Sequence, residues 1–230
     1  MAGTPANDPF LFGNVQAIHL PDFYIAQKQT TQALWNAIMG AEDNRSQYAG
    51  ETHPVEHVSW FQVQDFIEKL NQQFGNKGKF RLPTETEWEY AARGGPHWRD
   101  GFHFAGTNDM GESGWYELNA GPYTDPVLIS QLKNQAKLTT THPAGVKKPN
   151  QLGLCDMNGN VWEWCQDWFV RDTTLIPNDG SACLIESDAK VLRGGCHHNG
   201  AVHCTNTMRY EIGPQFFDGC IGFRIAFSKG

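Results

Sequence analysis

Between Val191 and Arg224 the chain reads VLRGGCHHNGAVHCTNTMRYEIGPQFFDGCIGFR, and the ends of this stretch obey a pattern that its middle does not. VLRGG reads as a strand running into a tight glycine turn. CIGFRIAF reads as a closing strand, with Ile221, Phe223, Ile225 and Phe227 on one face at alternate positions. Between them His197, His198, His203, Cys204, Tyr210, Phe216, Phe217 and Cys220 follow neither a helical nor a strand period. Any fold for this chain must therefore hold two strands and carry an aperiodic segment between them. Two readings are open. The segment is a recognition surface, because aromatics offer much contact area for little entropy loss. Or it is a long loop tucked into the core.

The 230 residues fit one domain over positions 1–230. Eight Trp and 14 Phe supply a bulky core, while 24 Gly and 12 Pro require many turns, so the composition suits a loop-rich globular fold and not disorder. A net charge of −7 without any basic block argues against nucleic acid and anionic membranes as partners. No apolar run approaches the about 20 residues needed for membrane insertion. The N-terminus, MAGTPANDPFLFGNVQ, lacks a charged segment followed by an apolar one, so no signal peptide is read there. Cytoplasmic synthesis with later display on a phage or cell surface fits that pattern. The six cysteines are Cys155, Cys165, Cys183, Cys196, Cys204 and Cys220; they form no CxxC pair and no zinc-finger spacing, so free thiols are expected.

Upstream, Val15, Ile18, Leu20, Phe23 and Ile25 alternate enough to predict one or two short strands within 15–28. A helix over 31–39 is predicted, capped by Thr30 or Thr31, with Leu34, Trp35 and Ile38 inward. A second runs from Trp60 to about Phe74, with Ser59 as cap, Phe61, Val63, Phe66, Ile67 and Leu70 on its apolar side, and Gly75 as stop. Thr84 and Glu87 have capping-box spacing for a third helix, so Glu85 and Glu87 are read as helix-start residues and not as catalytic acids. Residues 96–150 look irregular and too long to be structureless, so aromatics (Trp98, Phe102, Phe104, Trp115, Tyr116) or an ion must pin them. Asn158-Gly159 marks a turn before a strand Val161–Trp164. Asp156, Asn158, Asn160 and Glu163 put hard oxygens around that turn, which suits calcium, although the spacing is not that of an EF-hand. A turn whose polar side chains bond their own backbone fits equally well.

Four blocks in order, RLPTETEWEYAARGG, GLCDMNGNVWEWCQDWF, VLRGG and IGFR, resemble the formylglycine-generating-enzyme (sulfatase-modifying factor) domain family. PVEHVSW and DFYIAQKQTTQALW fit the same pattern. The resemblance implies an α+β, C-type-lectin-like fold of that family's subtype, with small antiparallel sheets, two main helices and much loop. It also implies a structural calcium held by the side chains of Asp156 and Glu163 and the carbonyls of Gly159 and Val161. Enzymes of the family bind copper through two cysteines after RGG. The matching positions here are Asn199 and Cys204, so one soft thiolate of the pair is missing. The variable proteins of diversity-generating retroelements, another branch of the family, are the better match. Their hypervariable segment runs from near RGG to just before IGFR and is diversified at AAY codons. The resemblance thus implies a non-enzymatic protein that binds a protein ligand through a variable region over 196–220. The residues so implied are Cys196, His197, His198, Asn199, Gly200, His203, Tyr210, Ile212, Phe216, Phe217, Asp218, Gly219 and Cys220. Met208, Glu211 and Gln215 are not reachable from AAY codons and would be fixed. The alternative is a copper-dependent oxidase that converts a sulfatase cysteine to formylglycine with Cys204.

Overall fold

The short strands of this chain divide between two sheets, and the IGFR segment crosses from one to the other. The structure is a computed structural model and describes residues 18, 20–74, 77–121 and 139–230. The first sheet is antiparallel, in the order β1 (Tyr24–Ile25), β7 (Ala226–Lys229), β2 (Gly78–Arg81). The second has the order β5 (Arg209–Ile212), β4 (Lys190–Arg193), β3 (Trp162–Trp168), β6 (Ile221–Gly222). Its pairs are antiparallel except β3 with β6, which is parallel.

The expected closing strand is therefore not continuous. Ile221 pairs with Trp162 in one sheet, and Ala226 pairs with Ile25 and Arg81 in the other. The apolar alternation still holds, because Ile221, Phe223 and Ile225 all enter the same core. Alternation records which side chains are buried; it does not record which backbone is the partner. Among the described residues of 15–28, Tyr24–Ile25 is the strand. Val15 lies outside the described residues, and Ile18, Leu20 and Phe23 fall outside regular structure.

Helix α1 (Gln32–Met39) starts at Thr31, whose hydroxyl accepts the Leu34 N–H. Trp35 is buried and stacks on Phe66 with centroids 5.4 Å apart, whereas Leu34 is exposed. Helix α2 (Trp60–Phe74) starts with a reciprocal pair: Gln62 N–H donates to Ser59 Oγ at 3.3 Å and Ser59 N–H donates to Gln62 Oε1 at 2.9 Å. Val63, Phe66, Ile67 and Leu70 bury against Trp35, Leu82 and Phe223. Each such side chain contributes about 1.5–3 kcal/mol of burial. Phe61, expected inward, faces solvent. The expected stop, Gly75, lies outside the described residues.

Helix α3 (Glu85–Ala92) carries the expected capping box, with both Thr84 and Glu87 bonds present. Asp167 of β3 adds a cap from far along the chain, accepting the Glu85 N–H at 2.7 Å. The 96–150 region contains a short helix, α4 (Met110–Ser113); positions 122–138 lie outside the described residues. Among its described residues, the Ala105 N–H donates to Asn158 Oδ1 at 2.6 Å, and the Trp115 ring stacks on His142 at 3.8 Å with Lys147 Nζ 4.0 Å from its centroid.

Candidate functional site

Arg193 anchors the start of the aperiodic segment. It is fully buried, and its guanidinium donates to Glu85 at 3.0 Å, Glu89 at 2.7 Å and the Asn206 carbonyl at 2.7 Å. Arg209 also reaches both Glu85 oxygens, so α3, the start of this loop and its strand β5 share one buried carboxylate. The Arg193 charge in turn holds the Glu89 carboxyl below its ordinary range against the opposing effect of burial. Glu85 is thus more than a helix-start residue: it ties the loop to the framework. Gly195 follows at φ +76°, and a Cβ there would sit 2.5 Å from Cys204 Sγ. Only glycine allows the backbone to turn back against that sulfur.

The segment then closes a small turn on Asn199. Its Oδ1 accepts the Cys196 N–H at 3.0 Å, its N–H donates to the Cys196 carbonyl at 3.0 Å, and its carbonyl accepts the Glu117 N–H at 3.1 Å. Position 199 is therefore a turn residue. Cys204, at the other matched position, is buried and its thiol is pushed up by burial, which disfavours the thiolate. All six cysteines are free.

The residues expected to form the binding surface separate into three groups. His198, His203, Tyr210, Phe216, Phe217 and Asp218 are exposed. Asn199, Gly200, Ile212 and Cys220 are half-buried. Cys196, His197 and Gly219 are buried, and for these the expectation of ligand contact is corrected. The physical reason for His197 is that its ring has internal partners. Nδ1 lies 2.9 Å from Thr139 Oγ1, Nε2 lies 3.3 Å from the Gly219 carbonyl, and Tyr48 meets the ring edge-on at 5.1 Å. Cys196 packs into the main core, and Gly219 abuts Gln47 and Tyr48.

The exposed aromatics are held from below. Tyr210 is 45% exposed and stacks on Trp162 with centroids 5.3 Å apart. Phe217 is 48% exposed and leans on His57 at 4.8 Å; Phe216 is 53% exposed. His57 adopts φ +64°, and its N–H donates to the Asp218 carbonyl at 2.9 Å, which fixes the turn that presents the two Phe rings. Trp60 N–H donates to the Pro214 carbonyl at 3.0 Å, bringing the start of α2 and its exposed Phe61 to the same turn.

His57, Phe61 and Tyr48 were missed from sequence. Phe61 had a signal: on a helix it lies about half a turn away from Val63 and Leu70, on the opposite face. His57 and Tyr48 carried none, since nothing local says which loop they meet.

The turn expected to hold calcium is assembled differently. Asn158 and Asn160 bond backbone groups: Asn158 Nδ2 donates to the Cys204 carbonyl at 2.6 Å, and Asn160 exchanges two bonds with His142 at 2.9 and 3.1 Å. The Asp156 carboxylate turns to the Gly145 N–H at 2.5 Å. Burial pushes its pKa up to about 6. The carbonyls of Gly159 and Val161 and the Glu163 carboxylate do converge, but on the side-chain nitrogen of Gln29. Glu163 also accepts from Arg224 at 2.7 and 2.8 Å and from Trp88 Nε1 at 2.6 Å. The calcium set expected from the sequence, with the Asp156 side chain as a ligand, does not fit this arrangement. Among the described residues no group of three or more His, Cys, Asp or Glu side chains is placed to hold a metal ion.

Two sheets joined by a crossing IGFR segment, with an Arg-Gly-Gly turn under a long loop, define the C-type-lectin-like fold in its formylglycine-generating-enzyme form. The chain belongs to the family of sulfatase-modifying factor enzyme 1-like domains, which it matches over residues 3–229. It is similar to chaperone protein LppX of Paenibacillus barcinonensis, 35% identical over 92% of this chain and 82% of that one. It is also similar to the formylglycine-generating enzyme of Streptomyces coelicolor, 31% identical over 94% of this chain and 68% of the enzyme. Among solved structures it resembles Treponema denticola variable protein 1, with a TM-score of 0.76 and 28% identity over 94% of this chain and 90% of the other. Among the described residues no helix is long and apolar enough to cross a membrane.

Proposed function

We propose that this chain is a non-enzymatic binding protein that presents the loop between RGG and IGFR to a protein ligand. The observation that carries the reading is the exposure of three large aromatics close to half accessible, Tyr210 on β5 and Phe216 and Phe217 on a turn fixed by backbone bonds to His57 and Trp60. Large apolar side chains are not left exposed together without a use. A rigid mount reduces the entropy lost when a ligand binds. The loop is also the segment that the variable-protein resemblance marks for diversification. The LppX relative, too, is named for work on another protein and not for a reaction.

The copper-oxidase reading is less well supported. Position 199 is an Asn engaged in a turn, and Cys204 is a buried thiol whose ionisation is disfavoured. The test is an assay with cuprous ion, oxygen and a cysteine-containing sulfatase peptide. No formylglycine is expected. Turnover that Cys204→Ala abolishes would overturn the proposal.

A further inference from the structure

Gln29 occupies the centre of the oxygen cradle at the 156–163 turn. Its Nε2 lies 3.2 Å from the Asp156 carbonyl, 3.3 Å from the Gly159 carbonyl, 3.0 Å from the Val161 carbonyl and 3.0 Å from Glu163 Oε1. Oxygens converging on one point is how a calcium ion is held, but calcium takes about 6–8 of them at about 2.3–2.6 Å. The separations here are hydrogen-bond lengths to an amide nitrogen.

Two of the four oxygens already carry a second bond: Arg224 Nη2 donates to the Asp156 carbonyl at 3.2 Å and to Glu163 Oε1 at 2.8 Å. The carboxylate of Glu163 is already balanced by Arg224, and Asp156 accepts the Gly145 N–H on Oδ2 while its Oδ1 has no hydrogen-bond partner. Gln29 itself is held in place from both sides. Cys155 N–H donates to the Gln27 carbonyl at 2.9 Å, and Thr30 N–H donates to the Phe223 carbonyl at 2.9 Å.

We propose that the Gln29 amide stands where an ion would, so that this chain closes the turn without calcium and residue 29 decides whether the turn can take one. The claim is independent of what the exposed aromatic loop binds.

The experiment measures metal content and Tm of the full chain in millimolar calcium and in chelator. For the wild type no bound calcium and no Tm difference are expected. Gln29→Glu adds a second carboxylate beside Glu163 and is expected to lower Tm in chelator. Calcium at about ten times its Kd should then raise it again by about 3–6 °C. Gln29→Ala, which empties the cradle while leaving its oxygens, should behave in the same direction. One equivalent of calcium on the wild type, or a wild-type Tm that falls in chelator, would overturn the proposal. A folded Gln29→Glu and Gln29→Ala pair that both stay indifferent to calcium would also overturn it, since the amide would then not be what keeps the ion out.

Discussion

Arg224 and Glu163 meet as a fully buried pair, with Nε 2.7 Å from Oε2 and Nη2 2.8 Å from Oε1. The arginine ends the IGFR segment and the glutamate lies in β3, so this contact locks the crossing between the two sheets. Removing one partner strands a buried charge. Arg224→Met is therefore expected to lower unfolding free energy by about 3–5 kcal/mol. Urea unfolding measures it. Adding Glu163→Leu to that variant should recover part of the loss, because the stranded charge is then gone.

A second prediction concerns Glu56, which is buried beside the Asp218 turn. Burial pushes its pKa up to about 8, against the opposing bond from the Tyr48 N–H, and one of its oxygens, Oε2, has no hydrogen-bond partner. The sign follows from the raised value. Below the ordinary 4.5 both folded and unfolded chains hold the proton, and Glu56 contributes nothing. Between 4.5 and about 8 the unfolded chain releases it and the folded chain keeps it, so stability falls as pH rises. Above about 8 the loss is complete. Asp167, raised to about 7 by burial, adds a slope of the same sign over an overlapping range. Glu56→Gln should flatten the decline, by at most about 1.4 kcal/mol per pH unit. Urea midpoints across this range check it; parallel profiles for variant and wild type would contradict the assignment.

The loop itself should divide by burial. Phe216→Ala and His198→Ala are exposed changes and should alter stability by about 0.5 kcal/mol or less. His197→Ala removes the partner of Thr139 and Gly219 inside the fold and should destabilise by about 1–3 kcal/mol. Urea unfolding of the three variants separates the groups. Equal effects would mean that the exposed aromatics are framework.

Gly195→Ala should be among the most damaging small changes in the chain. The added methyl would meet Cys204 Sγ at 2.5 Å and the His203 carbonyl at 2.7 Å, on a backbone at φ +76°. A Tm drop well beyond that of Phe216→Ala is expected, and a neutral result would contradict the turn geometry.

Much of this was legible because its cause is local. Thr84 and Glu87 announce α3 through a bond between neighbours three residues apart, and α1 and α2 follow from apolar spacing. The surface aromatics of the loop stood out for having no period. What the sequence could not give is long-range. Nothing near Gln29 says that its amide will meet oxygens about 130 residues away. Nothing near His197 says that Thr139 will cover it. The closing strand failed for the same reason, since period-two burial is shared by a strand and by a crossing segment that changes sheets.

The measurement that tests the central claim most directly is the sequence of the gene segment that encodes residues 191–224 across many cells of one population, read together with any second near-copy beside a reverse-transcriptase gene. The account predicts adenine-directed differences concentrated in the codons for the exposed residues His198, His203, Tyr210, Phe216, Phe217 and Asp218. Arg193, Gly194, Gly195 and Arg224 should stay fixed. A uniform segment with no near-copy, or differences spread over the buried framework, would contradict it.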